Sequence, residues 1–479
     1  MAEVEEKRSS LQEKLQQVTD HLRKRKVVEV LVHRQDMPRH DLVEDLTQRQ
    51  NTAELQRKLD QMHPADVAYV LEALPLDERL YVWELVRQDR DGEILWEVSD
   101  AVRESLIENM ETEELVAAAE QLDADEIADL APDLPREVMN NVFESLSAQE
   151  RERLREAMSY DEDSVGALMD FDMIGVHEDV TVEAVLRDLR RRDEMPDQTD
   201  QLFVIDRAEQ LRGLLPVNRL LVSEPDAMIG SIMTVDDIVA LRPEQRAQDA
   251  ALAFERYDLV SAPVVTDKGK LVARVTVDAV VDFIRESNES EMLSAGGLRE
   301  DEDLFAPIWD SLKNRWTWLA VNLVTAFIAS RVIGVFEHSI EKLVALAALM
   351  PIIAGIGGNS GNQTITMIVR GLAVGQITST NARTLLAKEF QVAVVNGLVW
   401  GAVVGLFAFV IYHKWELGLV MMGAMLLNLM LAAVMGFAIP MTMHKLGRDP
   451  AAGASVMLTA ITDSGGFFIF LGLATVFLV

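Results

Sequence analysis

The sequence predicts a multi-domain protein made, in chain order, of an α-helical superhelix, a pair of α/β modules and a five-helix transmembrane bundle. Three observations carry this: charge is segregated along the chain, the front repeats helical units, and the last third is a series of long apolar runs. The chain has 479 residues, more than one ordinary core accommodates, and a formal net charge of −33. From Ser311 onward there are 10 Lys or Arg and 6 Asp or Glu, which leaves 35 basic and 72 acidic residues, a balance of −37, in the first 310. The front therefore belongs in water under a strongly negative field, and the back belongs largely in lipid. That field repels nucleic-acid phosphates and suits cations or basic partners. With no cysteine, disulfides, thiolate metal sites and cysteine nucleophiles are excluded. The opening MAEVEEKRSS lacks an apolar signal core, so no cleaved secretion signal is expected.

Residues 1–50 read as a helical extension, in which LQEKLQQVTDHLRKRKVVEVLV places apolar residues three and four apart. Residues 51–158 read as the superhelix. HPADVAYVLEALPLDERLYVWELV aligns with DADEIADLAPDLPREVMNNVFESL, Pro75 over Pro135, and SDAVRESLIENMETEELVAAAEQL between them is a weaker copy. Two helices per unit at a period of about thirty residues suit a short superhelix, with proline stopping one helix and opening the next. Residues 159–286 twice give a strand, a turn and an amphipathic helix followed by a hairpin and a helix. In the second copy APVVTDKGKLVARVT is two β-branched runs around a turn ending in Gly269. The two copies resemble a tandem pair of CBS modules. Residues 287–312 are acidic and interrupted by Gly296, Gly297 and Pro307, as a linker and connecting helix would be.

The pore domain is expected over 313–479, with spans near 316–336, 343–370, 385–412, 417–443 and 451–479. Each contains or approaches the ~20 apolar residues a bilayer requires. Lys313, Arg315, Arg370, Arg383, Lys388, Lys445 and Arg448 then fall on one side, and Arg331, Lys342 and Lys414 on the other. The bias places the N-terminal domains in the cytoplasm of a plasma (inner) membrane, and an odd span count leaves Val479 outside.

Two membrane segments carry chemistry. In AAGASVMLTAITDSGGFFIFLGLATVFLV, Asp463 is the only charge. A mid-membrane carboxylate costs at least ~2.5 kcal/mol on insertion scales, so it faces water, a cation or a partner. The alternative is a packing contact to a basic residue, but none lies at comparable depth in the other spans. The second segment is LVALAALMPIIAGIGGNSGNQTITMIVRGLAVG, where Pro351, Gly355, Gly357, Gly358 and Gly361 suggest broken backbone lining a wet cavity, with Asn359, Asn362 and Gln363 adding amides. A close helix crossing rich in small residues is the alternative. There is no HExxH pair and no Walker A lysine motif, so neither a zinc hydrolase nor an ATP-driven pump is indicated, and no enzyme is expected.

PIIAGIGGNSGNQTITMIVRGLAVG and TAITDSGGFFIFLGLA, with the order helical domain, CBS pair and five spans, resemble the MgtE family of magnesium channels. The resemblance implies a homodimer in the lipid bilayer with its pore at the subunit interface. It implies that Asp463 of both chains holds hydrated Mg²⁺ near the Ala460 carbonyl. A wide ring with few carboxylates suits an ion that dehydrates reluctantly, and Asn359 would receive its hydration waters. The family's cytoplasmic Mg²⁺ sensor is matched by Asp258, Asp282 and Glu291, while Gln248, Ala279, Ser287 and Ser290 stand where further carboxylates are expected. VTVD, with Thr276 and Asp278, resembles a ribose-binding position for ATP or a related nucleotide in CBS modules. The expectation is a magnesium channel driven by the electrochemical gradient, with Mg²⁺ both transported and regulatory. The alternatives are the same fold conducting Co²⁺, Mn²⁺ or Ca²⁺, and a membrane sensor without transport.

Overall fold

The computed structural model describes residues 2–32, 40–192, 194–298, 303–378, 380–451 and 453–479. Residues 33–39 of the expected extension and 299–302 of the expected linker lie outside them. The chain divides into two compact units, Met1–Glu286 with Asp303–Pro307, and Ser287–Glu302 with Ile308–Val479.

Among the described residues the first unit opens with ten α-helices: α1 (Ala2–Val32), α2 (His40–Leu59), α3 (Pro64–Glu72), α4 (Leu76–Trp83), α5 (Asp91–Glu97), α6 (Asp100–Ile107), α7 (Thr112–Ala119), α8 (Ala124–Leu130), α9 (Arg136–Ser145) and α10 (Ala148–Ala157). Pro75 and Pro135 are the N-caps of α4 and α9, where a missing N–H costs nothing. Reciprocal capping boxes at Asp123/Glu126 and Ser147/Glu150 start α8 and α10. One core, including Val67, Leu71, Val82, Ile94, Leu106, Ile127 and Val142, runs through the stack. The expected boundary at residue 50 does not separate two bodies. α2 runs through it, because Leu55 and Leu59 share that core with Val18 and Leu22 of α1.

Buried arginines mark the repeat. Arg79 Nε donates to Leu71 O at 2.9 Å and Arg103 Nε to Leu95 O at 2.9 Å, in each case eight residues back. Their Nη2 groups reach Leu74 O at 3.2 Å and Val98 O at 3.1 Å, each five residues back. Each guanidinium thus binds carbonyls at and just beyond the end of the preceding helix, where backbone donors run short. The anions differ: Arg103 takes Asp133 at 3.4 Å and Asp100 at 3.0 Å, whereas Arg79 takes Asp303 at 2.8 Å.

The α/β part follows. Its first copy contains β1 (Gly175–His177), α11 (Val182–Leu189), β2 (Gln201–Ile205), β3 (Leu211–Pro216) and α12 (Val217–Val222). The second contains α13 (Ile229–Ile232), α14 (Ala247–Tyr257), β4 (Ser261–Val265), β5 (Leu271–Thr276) and α15 (Val277–Ala295). β1 pairs parallel to β2 and β2 antiparallel to β3; β4 pairs antiparallel to β5, and Leu241 makes a parallel bridge to Val264 where the second copy's β1 equivalent would lie. The hairpin tips match, with Glu209 at φ 59° and Gly269 at φ 76°. They also join. Leu211 N–H donates to Gly269 O and Leu271 N–H to Glu209 O, both at 3.0 Å. The copies therefore form one paired body, as the repeated sequence order requires.

The second unit contains α16 (Ile308–Val335), α17 (Glu337–Lys342), α18 (Ala345–Ala373), α19 (Ala382–Tyr412), α20 (Trp415–Lys445) and α21 (Ala454–Phe477). Among the described residues four helices are long and apolar enough to cross a membrane: Ser311–Val335, Ala382–Tyr412, Trp415–Lys445 and Ala454–Phe477. The 29-residue α18 has the length, but its Gly-Asn-Gln-Thr run lowers its apolarity. Helix α20 is central, packing on α18, α19 and α21. Its contact with α19 is backbone-close. A Cβ added at Gly405 would lie 2.6 Å from Gly418 O.

Candidate functional site

The polar segment of the second expected span is not broken. From Ala345 to Ala373 the helix is continuous, with Pro351 inside it. The glycines serve proximity instead. A Cβ at Gly361 would lie 2.5 Å from Leu458 Cδ2 of α21, and one at Gly436 of α20 would lie 2.8 Å from Gly361 O. Gly in a helix interior costs about 1 kcal/mol against Ala. Close helix contact and the absence of competing water in a bilayer offset that cost. The alternative drawn from the sequence, a small-residue crossing, is the arrangement observed.

Residues at this crossing define one level of the bundle. A Cβ at Gly358 of α18 would lie 3.9 Å from Thr462 Oγ1 of α21, and Asp463 is the next residue. Asp463 is half-buried and makes no hydrogen bond or ion pair to any described residue. Ala460 precedes it by three residues on the same unbroken helix, one turn away. On α18, Asn359 and Gln363 form an exposed strip one turn apart, and Asn362 is half-buried. Asn359 is the residue after Gly358, and Asn362 and Gln363 lie about one turn further along the same helix. Amides exposed on a helix at membrane depth are tolerated only against protein or water.

Two polar side chains were not among the sequence candidates. Asn428 of α20 is fully buried, and its Nδ2 donates to Ile353 O of α18 at 3.0 Å. Glu389 of α19 is 7 % exposed and accepts from Thr364 Oγ1 at 3.4 Å, with Lys388 Nζ at 3.7 Å. A signal existed for each. Asn428 is a lone amide in an apolar run, and Glu389 heads a four-residue period of buried small residues, Ala393, Gly397, Gly401 and Gly405.

The sensor candidates lie at the end of α14 and along α15. Asp258 is exposed in a left-handed cap of α14 at φ 50°. Asp282 faces the helical domain. Burial, and after it the Asp282 charge, holds the Glu97 carboxyl above the ordinary carboxylate range. Burial first and then Asp278 push Asp282 up as well, against the lowering effect of Arg285. Glu291 belongs to the second unit, near Asp449.

A further acidic contact lies where α8 meets the α/β body. Burial and the neighbouring Asp170 push Asp125 up to about 8, while Asp170 itself is bound by Arg274 at 2.7 Å. Asp123, beside Asp172, is raised by burial first and that charge second. Such a seam gains by taking up a proton or a cation. Among the described residues no three acidic or histidine side chains converge as a ready cage. Of the nucleotide candidates, Thr276 is buried at the end of β5 and Asp278 is exposed in the first turn of α15.

Comparison with known proteins accounts for this arrangement. A family profile described as "Divalent cation transporter" (MgtE) matches residues 350–473, which hold both the α18 crossing and Asp463. Profiles for the MgtE intracellular N domain and the CBS domain match 62–163 and 229–286. In the order of its matched segments the chain is similar to MgtE-family proteins. The magnesium transporter MgtE of Bacillus subtilis is 26 % identical to this chain over 422 residues, covering 88 % of the chain and 93 % of the relative. That of Thermus thermophilus is 27 % identical over 445 residues, covering 91 % and 98 %. A solved structure, the cytosolic domain of the Mg²⁺ channel MgtE in complex with ATP, is 27 % identical with a TM-score of 0.45, covering 50 % of this chain and 98 % of that one. The CBS profile covers the second copy, and the first copy is recognised by its matching hairpin and strand order.

Proposed function

We propose that this chain is a transporter of the MgtE family that moves Mg²⁺ across a membrane down its electrochemical gradient. The observation that carries the reading is Asp463, a carboxylate half-buried in a membrane helix with no base paired to it among the described residues, inside the segment matched by the divalent-cation-transporter profile. Such an acid is worth its insertion cost when it meets a hydrated cation. Two of them across a dyad supply charge without stripping water from Mg²⁺. The match to magnesium transporters extends over nearly their whole length, which supports transport as the activity.

In this reading α18 is the fifth span, its polar strip of Asn359 and Gln363 covered by a second copy of the chain or by the wet path between the copies. The homodimer sits in the plasma (inner) membrane with the N-terminal domains in the cytoplasm and Val479 outside. Asn359 and Asn362 receive hydration water, and the Ala460 carbonyl lies one turn from the ion. Cytoplasmic Mg²⁺ is taken up by the acidic seams. Their carboxylates, Asp125 with Asp170 and Glu97 with Asp282, repel one another until a proton or cation intervenes. Asp258 is exposed at the end of α14, and Glu291 belongs to the second unit. A nucleotide at the CBS pair would meet Asp278, the exposed one of the two expected residues.

The test is Asp463→Asn, which keeps shape and removes charge. Cells dependent on this protein for magnesium should fail to grow at low Mg²⁺ with the variant at normal membrane levels. Undiminished growth at wild-type expression would refute the assignment.

A further inference from the structure

The α18 and α21 motifs each contribute a glycine to a slot that neither motif explains alone. The carboxamide of Asn428 fills it. A Cβ added at Gly357 of α18 would collide with Asn428 Nδ2, and one at Gly466 of α21 would lie 2.8 Å from Nδ2 and 3.1 Å from Oδ1. Asn428 is 0 % exposed, and its Nδ2 bonds Ile353 O of α18 at 3.0 Å. Its Oδ1 is a buried side-chain atom without a hydrogen-bond partner, the one such atom among the described residues.

Stability does not account for this residue. A leucine, with the same branched skeleton, would occupy an apolar slot without stranding an acceptor, and stranded buried acceptors are costly. A single buried Asn at a helix–helix seam has one well-attested use: it fixes register and partner geometry at the expense of stability. The register here concerns Asp463. The packed face of α21 runs through Leu458, Thr462, Gly466, Phe470 and Ala474, at intervals of four residues. Asp463 lies beside that face, one turn before Gly466. Turning α21 by a single residue, about 100°, would swing the carboxylate away from the Gly358–Thr462 level and its flanking amides.

We infer that Asn428 is a positioning residue for the ion path. Locked to α18 through Ile353 and seated against Gly466, it sets the axial and rotational register of α21 and so the direction in which Asp463 presents its charge. The inference rests on the reading of Asp463 as the ion ligand. A misaligned carboxylate still attracts cations, but it no longer distinguishes a tightly hydrated Mg²⁺ from a larger, more readily dehydrated Ca²⁺. Asn428 therefore governs selectivity more than it governs stability.

The experiment uses the full-length protein in liposomes, with Mg²⁺ and Ca²⁺ influx measured separately, alongside thermal unfolding in detergent. Asn428→Leu should keep or raise the unfolding temperature while lowering the Mg²⁺:Ca²⁺ flux ratio at least tenfold. Gly466→Ala, which intrudes on the same slot, should lower the ratio similarly, and the double variant should lose no more than either single one, since both act through one contact. If Asn428→Leu does not assemble, Gly466→Ala alone supplies the readout. An unchanged flux ratio in Asn428→Leu overturns the inference, and so does a fall in flux and stability together at constant ratio, which is the behaviour of a plain packing residue. The control is Asp463→Asn. If it abolishes flux while Asn428→Leu leaves selectivity intact, only the positioning role fails; if Asp463→Asn conducts normally, the ligand reading fails first.

Discussion

Replacing Arg79 with methionine removes a buried guanidinium while keeping most of its aliphatic bulk. The side chain is fully buried, donating to Leu71 O at 2.9 Å, Leu74 O at 3.2 Å and Ser105 Oγ at 3.1 Å, and pairing with Asp303 at 2.8 Å. Leu71 O keeps a 3.3 Å bond from Leu74 N–H, so its loss is partial. Leu74 O loses its charged donor. Charge-assisted hydrogen bonds contribute about 1.5–3 kcal/mol each, and a stranded buried acceptor costs about 1–3 kcal/mol. Asp303 stands at the surface edge, 10 % exposed, and can turn to water, so the full penalty of a broken buried pair does not apply. The sum is about 3–5 kcal/mol against the helical domain. Hydrogen exchange on the full-length protein in detergent reads this directly. Amides between Pro64 and Ile107 should exchange roughly 100- to 4000-fold faster, at one decade per 1.4 kcal/mol, with those of α19 and α20 unchanged. Arg103→Met, which has the same geometry one repeat later, should act similarly. Acceleration below about threefold in both variants would refute the view that these arginines tie the repeats together.

Further outcomes follow from the acidic seam and the helix crossing. Asp125 titrates at about 8 in the folded chain against an ordinary 3.8, so the folded state holds the proton more tightly than the unfolded one. Its stabilising contribution is complete below about pH 4 and is lost as the pH rises through about 8. Asp125→Asn should therefore match wild type at pH 4 and exceed it at pH 8.5 by on the order of 3 kcal/mol, part of the shift being screened by water at this half-buried group. Thermal unfolding across that range would show a constant difference if the repulsion were absent. Millimolar Mg²⁺ should narrow the gap at pH 8.5 by stabilising the wild type. Gly436→Ala should destabilise the bundle by about 1–3 kcal/mol, because its added methyl meets the Gly361 carbonyl at 2.8 Å and backbone cannot step aside. Gly361→Ala should cost less, since it meets the flexible end of Leu458. Equal unfolding temperatures for the two variants would contradict the backbone contact.

Sequence alone revealed what depends on local pattern. The single charge in the run around Asp463, the strand–turn–strand around Gly269 and the proline-opened helices at Pro75 and Pro135 are all local signals, and the elements form where those residues place them. The α18 segment was misleading because glycine has two uses, release of the backbone and close approach. Composition does not tell them apart; the neighbours do, and Leu458 and Gly436 come from 97 and 75 residues downstream of Gly361. Asp125 and Asp170 similarly gain their meaning from contact between separate domains. Asn428 stood in plain view as an amide among leucines, but the glycines that seat it lie on two other helices. The extension boundary at residue 50 was misplaced because polar residues around it conceal Leu55 and Leu59, which commit α2 to the helical core.

The central claim is that Asp463 meets Mg²⁺ in transit. Its most direct test is Mg²⁺ influx into liposomes holding purified full-length protein under an inward gradient, compared with Asp463→Asn at matched protein density. The account predicts rapid influx with the wild-type chain and near-background influx with the variant. Equal influx in the two, or none with a folded wild-type chain, would contradict it.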